Sequence, residues 1–313
     1  MKKVIVISGP TASGKTALGA MLAERLGGEV VSADSMQVYR RMDIGTAKPT
    51  REEMRGIPHH MLDVAEPWED YSVSRYAAEA KICVDGILSR GKIPIIVGGT
   101  GLYTDALIGG TSFAPKGGGT ELRERLSREY DEKGGAYMLR RLSEVDAESG
   151  ARLHENDKKR IVRALEVWYS TGKTITEHDA ETKKLPPDYD AVKIALAFSD
   201  REDLYARINA RVDRMFSDGL ENEVRSLIAS GVPEKCTAMQ AIGYKETAAA
   251  IRGEYPLSEA AEIIKQSSRR YAKRQLSWFG RYPEIYWIHW GKTPDFDAAL
   301  RDSTDFLHTK GIL

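Results

Sequence analysis

The chain opens on an apolar run, Val4-Ile5-Val6-Ile7, which breaks into Ser8-Gly9-Pro10-Thr11-Ala12-Ser13-Gly14-Lys15-Thr16 and resumes as Ala17-Leu18-Gly19-Ala20-Met21-Leu22. The continuous apolar run reads as a buried strand, and the segment after the glycines reads as a helix. Glu29 to Ala33 is a second β-rich run, ending at Asp34, and Ile93 to Val97 is a third; Pro58 to Val64 predicts a further short strand. Apolar positions at Val73, Tyr76, Ala77, Ala80, Val84, Ile87 and Leu88 recur every three and four residues and predict a helix over 72–90. Strands and helices in alternation indicate a parallel α/β sheet flanked by helices.

From Phe113 the pattern turns to polar, charged helices, with no buried strand until Ala191 to Phe198. Gly- and Pro-containing loops at Ala114 to Gly119 and Lys184 to Pro187 bound this stretch, so residues 113–190 are predicted as a helical insertion. Residues 1–112 then form the first part of the core and 191–313 its completion with C-terminal helices. Helices are expected at 204–216, 220–228, about 240–251 and 258–280, with a last strand at Ile285 to Ile288.

The segment from Gly9 to Thr16 fits G-x-x-x-x-G-K-[ST] with a strand before it and a helix after it. Gly9 and Gly14 permit backbone angles at which successive N–H groups converge on phosphate oxygens, and the helix N-terminus adds its positive end. Lys15 reaches a terminal phosphate and the Thr16 hydroxyl can ligate Mg2+. ATP is the default ligand of such a nucleotide-binding P-loop, with phosphoryl transfer as the default chemistry. Ligands of open α/β sheets sit outside the carboxyl ends of the strands, so Asp34 and this loop are expected to open into one crevice. Asp34 can serve as a general base or magnesium ligand, or it can cap the next helix through the Ser35 and Met36 N–H groups. The strand ending at Val97 leads into Gly98-Gly99-Thr100 where an ATPase would often place an acidic magnesium ligand, which counts against ordinary ATP hydrolysis.

Composition narrows the partners. The 313 residues carry 46 Lys plus Arg and 46 Asp plus Glu, so any nucleic-acid site must come from local clustering. Such clusters occur at Lys159, Arg160 and Arg163, on one side of a predicted helix, and at Lys265 to Arg281, where Lys and Arg alternate with Tyr271, Trp278 and Phe279 without an acidic residue. Arg207, Arg211 and Arg214 share another helix face, which by itself reads as solvated. Two distant cysteines, Cys83 and Cys236, exclude a zinc motif or a disulfide framework and suit a reducing cytosol. No window approaches eighteen apolar residues, so a cytoplasmic protein without a membrane span is expected.

Several of these segments together resemble the bacterial tRNA dimethylallyltransferase family (isopentenyl-diphosphate:tRNA transferases). They are Gly9 to Thr16, Asp34-Ser35-Met36-Gln37-Val38-Tyr39, Met42 to Pro49, Val97 to Tyr103, Asn156-Asp157 with Arg160, Ala241 to Glu246, and Arg270 to Gln275. The likeness runs from residue 5 to about 290. It implies a P-loop NTPase-like core in which the loop binds a leaving diphosphate rather than a nucleotide. The exocyclic N6 amine of the adenosine 3′ to the anticodon attacks C1 of dimethylallyl diphosphate and inorganic diphosphate departs. By the same resemblance Asp34 is the base, Thr16 holds Mg2+, and Arg211 joins Gly9 to Thr16 on the diphosphate. The anticodon stem-loop would meet Asp34, Ser35, Met36 and Gln37, Thr100, Arg123, the stretch Lys159, Arg160, Ile161, Val162 and Arg163, and the stretch Gln240, Ala241, Ile242, Gly243, Tyr244 and Lys245. A monomer is expected. Departures are Ser277 in place of a frequent Thr and the Gly-rich entry to the insertion over Phe113 to Gly119. Two rival readings are a P-loop kinase of a nucleoside or small alcohol, with Asp34 activating a hydroxyl, and an RNA-binding ATPase.

Overall fold

The computed structural model describes residues 2–109, 119–182 and 184–312. The expected boundary at residues 112 and 113 and most of the Gly-rich segment after it lie outside the described residues. Two compact units result: Met1–Ile108 together with Asp188–Leu313, and Gly109–Pro187.

The first unit is built on β1 (Lys3–Ser8), α1 (Lys15–Leu26), β2 (Glu29–Ser32), β3 (His59–His60), α2 (Val73–Ser89), β4 (Pro94–Gly98) and α3 (Gly101–Ile108). The inserted unit contributes α4 (Gly119–Lys133), α5 (Gly135–Val145), α6 (Ala147–Arg152), α7 (Lys158–Thr171) and α8 (Ile175–Thr182). The first unit then resumes with β5 (Asp190–Phe198), α9 (Arg201–Ser217), α10 (Leu220–Ala229), α11 (Tyr244–Ile251), α12 (Leu257–Phe279), β6 (Tyr286–Trp290) and α13 (Phe296–Thr309). Its six strands form one parallel sheet in the order β3-β2-β4-β1-β5-β6. The apolar runs are unbroken because both faces are covered. Val4 and Val6 enter one buried cluster, with Tyr76, Tyr103 and Tyr244, while Ile5 and Ile7 enter the other, with Leu18 and Leu22. Among the described residues no helix is long and apolar enough to cross a membrane.

The register sets the site. Ser8 of β1 lies opposite Gly98 of β4 and Ala195 of β5, and Ser32 of β2 lies opposite Val97. The chain therefore leaves β1, β2 and β4 at one level, and the Gly9 to Thr16 loop, Asp34 and Gly98 to Thr100 emerge side by side. Gly98 answers to this crowding: a Cβ there would lie 2.1 Å from the Ala33 carbonyl oxygen, so no acidic residue can stand at this strand end.

The insertion has its own core of Leu126, Met138, Leu142, Ile161, Val162 and Leu165. Two expectations need correction. The helix read from about residue 240 begins only at Tyr244, because Ala238–Gln240 is a single 3-10 turn and Gly243 takes φ +102° before the Glu246 carboxylate accepts its N–H at 2.9 Å. Helix α13 was not read in the sequence at all, although Asp295 caps it by accepting the Ala298 N–H at 2.9 Å.

A methyl at residue 98 has only backbone to push against. Gly98→Ala is expected to destabilise the protein by at least about 2 kcal/mol, read as a lower urea midpoint at unchanged m-value.

Candidate active site

The loop after β1 turns through Gly9 at φ +150°, Ala12 at +63° and Gly14 at +88° before α1 begins. The chain beyond β5 braces it from behind: Trp290 Nε1 donates to the Ser13 carbonyl at 2.8 Å, and Phe296 of α13 packs against Gly14. From α9, Arg207 Nε donates to the Ala12 carbonyl at 3.2 Å and Arg211 Nη1 donates to Thr11 Oγ1 at 3.3 Å. The solvated face read in the sequence thus delivers two arginines to the loop, of which Arg207 was not anticipated.

A cavity of about 410 Å³ opens where these elements meet. Thr11, Lys15, Thr16, Asp34 and Arg211 line its polar side, and Met36, Met215, Ile242 and Ile264 line an apolar side. Ser35, Gln37, Gly98, Gln240, Ala241 and Lys245 also border it, as do Ser268, Tyr271, Arg274 and Gln275 of α12. Its size is that of a small-molecule site, roughly 300–1,000 Å³. Gly9, Pro10, Ala12, Ser13 and Gly14 shape the loop but do not line the cavity.

Charge is unbalanced here. Burial pushes the Lys15 ammonium down to about 8, and the Arg211 guanidinium lowers it further against the opposing pull of Asp34. Burial likewise lowers Arg211, with Asp34 and then Glu53 drawing it back. Two desolvated cations beside one carboxylate make a site that an anion completes.

Asp34 caps a turn rather than a helix, through Met36 and Gln37 instead of the expected Ser35 and Met36, and keeps capacity for chemistry. Its Oδ1 accepts the N–H groups of Met36 at 2.9 Å and Gln37 at 3.4 Å, which leaves Oδ2 without a hydrogen-bond donor among the described residues. Thr100 braces this turn: its Oγ1 accepts the Ser35 N–H at 3.1 Å and donates to Ser35 Oγ at 3.3 Å, though Thr100 does not line the cavity. Gln37 Nε2 donates to the Thr46 and Ala47 carbonyls at 3.2 and 3.1 Å, tying on the Met42 to Pro49 segment. Glu223 of α10, unremarked in the sequence, accepts the N–H groups of Asp43, Ile44 and Gly45 and the Tyr244 hydroxyl, the last at 2.6 Å. Tyr244 is therefore a buried prop under this segment, and neither it nor Gly243 lines the cavity.

In the insertion, Lys159 and Arg160 are exposed, and with Arg152, Arg163, Leu153 and Ile175 they line a hollow of about 420 Å³. Ile161 and Val162 are instead buried in the core of that unit, so their side chains cannot meet RNA, a correction to the expectation for the whole stretch. Arg123 binds the buried Glu166 carboxylate at 2.8 Å, which Arg163 also reaches at 3.0 Å.

Comparison with known proteins bears on this geometry. Residues 37–282 match the family described as IPP transferase, and residues 2–68 also match that described as isopentenyl transferase. The chain belongs to the IPP transferase family. This transferase is 45% identical over 312 residues to a tRNA dimethylallyltransferase of Acetivibrio thermocellus, covering 100% of this chain and 99% of the relative. It is 47% identical to one of Caldanaerobacter subterraneus, covering 98% of each. Among solved structures it is similar to the full-length tRNA isopentenylpyrophosphate transferase of Bacillus halodurans, at TM-score 0.75 and 40% identity, covering 99% of this chain and 97% of the other. It is also similar to a eukaryotic dimethylallyltransferase acting on tRNA, at TM-score 0.82 and 31% identity, covering 99% of this chain and 80% of the other.

A Lys15 poised near 8 makes anion binding pH-dependent. Inorganic diphosphate is expected to bind with proton uptake above pH 8, where free Lys15 has lost its proton and the anion restores it. Calorimetry in buffers of different ionisation enthalpy measures the net proton exchange, and Lys15→Ala should lower the uptake relative to the unmodified protein at the same pH.

Proposed function

We propose that this transferase moves the dimethylallyl group of dimethylallyl diphosphate onto N6 of the adenosine 3′ to the anticodon in tRNA, releasing diphosphate. The observation that carries the reading is the arrangement around one cavity: two desolvated cations, a carboxylate with an unengaged oxygen, and an apolar wall. Lys15, Arg211 and the N–H groups at the start of α1 receive the charge that grows on the diphosphate as the C–O bond breaks. Met36, Met215, Ile242 and Ile264 suit the isoprenoid chain and keep water from the allylic carbon. The adenine amine is a weak nucleophile because its lone pair is delocalised into the ring. Asp34 Oδ2 accepts its N–H and takes the proton as the N–C bond forms. A stacked base cannot enter such a cavity, so the target adenosine is unstacked from the anticodon loop.

The donor set suits Mg2+. The Thr16 hydroxyl and Asp34 carboxylate are hard oxygen ligands, and among the described residues no cluster of three or more His, Cys, Asp or Glu competes for a different metal. Thr16 would hold the ion, the remaining ligands coming from diphosphate and water. When bound, it would neutralise charge on the departing diphosphate. The exposed Lys159 and Arg160, with Arg163, supply phosphate contacts for the RNA.

The deciding experiment incubates the protein and Mg2+ with unmodified tRNA and either dimethylallyl diphosphate or ATP, with the nucleosides analysed by mass spectrometry. Prenylated adenosine is expected with the former. Phosphorylated product or nucleotide hydrolysis with the latter, and no prenylation, would overturn the proposal in favour of a kinase or ATPase. Asp34→Asn is expected to keep tRNA and diphosphate affinity while single-turnover rates fall ~10²–10⁴-fold. Lys159→Ala with Arg160→Ala should raise the KM for tRNA and lessen the slope of log affinity against log salt by about one per charge removed.

A further inference from the structure

Gln275 sits on α12, 5% exposed, with both ends of its amide engaged. Its Oε1 accepts the Thr11 N–H at 2.9 Å and its Nε2 donates to the Gly99 carbonyl at 2.8 Å. One side chain thereby joins the loop after β1 to the turn after β4, across 264 and 176 residues of sequence. The fit is close, since a methyl on Gly99 would lie 2.2 Å from Nε2.

Both connections lead on to groups of the site. Thr11 Oγ1 accepts from Arg211 Nη1 at 3.3 Å, and Arg211 Nη2 donates to the Thr46 carbonyl at 3.5 Å, so fixing Thr11 fixes one anchor of the guanidinium. Gly99 precedes Thr100, whose hydroxyl holds the Ser35 N–H in the turn that carries Asp34. Tyr271, one turn before Gln275 on the same cavity-lining face, reinforces the junction: burial and then the Asp34 carboxylate push its phenol up to about 12, opposed by the side chains of Thr100, Arg274 and Gln275. The Thr11 N–H is spent on this amide rather than offered to a ligand, so the loop has its shape before any anion arrives.

We propose that Gln275 is a positioning residue for the transfer. It holds Thr11, and through Thr11 the Arg211 guanidinium, where the leaving diphosphate develops charge, and it locks that half of the site in register with the half that carries Asp34. The inference rests on the diphosphate reading of the loop. Its value to the reaction is preorganisation: a loop already ordered costs less to close around the transition state.

Gln275→Leu keeps the bulk and removes both hydrogen bonds. It is expected to lower kcat ~10–100-fold and the affinity for inorganic diphosphate ~10-fold, with the KM for tRNA within about twofold. In an Arg211→Lys background the same change should cost less than about threefold more, because both act through one chain of contacts. A residue that only supports folding would lower the melting temperature and the fraction of active molecules, leave kcat per active site unchanged, and give additive losses; that result overturns the inference. Should Gln275→Leu fail to fold, Gln275→Glu keeps the shape and the acceptor for Thr11, but can donate to Gly99 only when protonated. Its activity relative to the unmodified protein should then rise as pH falls, and a flat ratio overturns the proposal. Failure of the unmodified protein to bind inorganic diphosphate or to prenylate tRNA would remove the underlying reading too. Normal binding and turnover with an unaffected Gln275→Leu would remove this inference alone.

Discussion

Lys15 and Arg211 share a cavity with a single carboxylate, and partial withdrawal from water lowers the proton affinity of each. Burying like charges in one place is costly, and on the proposed reading a diphosphate would recover that cost. The elements around the cavity hold those two cations and the loop between them in place. The sheet register brings three strand ends to one level, α9 supplies Arg211 from the side, and β6 with α13 closes the loop from behind through Trp290 and Phe296.

The walls are held mainly by partly buried polar side chains that bind backbone. Glu223 gathers three successive N–H groups of the Asp43 to Gly45 segment, Lys48 binds the Tyr39 carbonyl and the Asp43 and Asp63 carboxylates, and Gln37 ties that segment to the Asp34 turn. Irregular backbone around a cavity must have its N–H and C=O groups satisfied, and here one side chain often satisfies several. The motif Met42 to Pro49, which has no periodicity of its own, is explained by these contacts. Gln275 follows the same physics, its amide satisfying one backbone group of the loop after β1 and one of the turn after β4.

A P-loop core ordinarily suggests phosphoryl transfer, but the strand end at Gly98 has no room for an acidic side chain. The Ala33 carbonyl stands where a side chain would begin, so the position that could carry an acidic ligand is filled by backbone. What remains are Thr16 and Asp34 as hard oxygen donors and an apolar wall. On the proposed reading that combination suits an allylic diphosphate, in which the bond to be broken joins carbon to oxygen.

Much of this was legible in the sequence because it depends on local pattern. Buried parallel strands announce themselves as unbroken apolar runs such as Val4 to Ile7 and Ile93 to Val97, and the Gly9 to Thr16 spacing carries its own backbone geometry. Asp34 could be placed beside that loop because strand ends of an α/β sheet share one edge. Other features depend on which elements meet, and no local pattern records that. Arg207 and Arg211 look solvated on α9 until the loop is packed against it. Ile161 and Val162 sit among cations in sequence but turn inward with the helix, and Gly243, at positive φ, halts a pattern that otherwise continues as a helix. The individual strands and the Gly9 to Thr16 loop were readable because each is written in residues a few positions apart, and Asp34 became a candidate through the general rule about strand ends. The partners of Gln275 and Arg211, and the backbone that Glu223 gathers, could not be read from the sequence, because those hydrogen bonds join residues more than 150 positions apart.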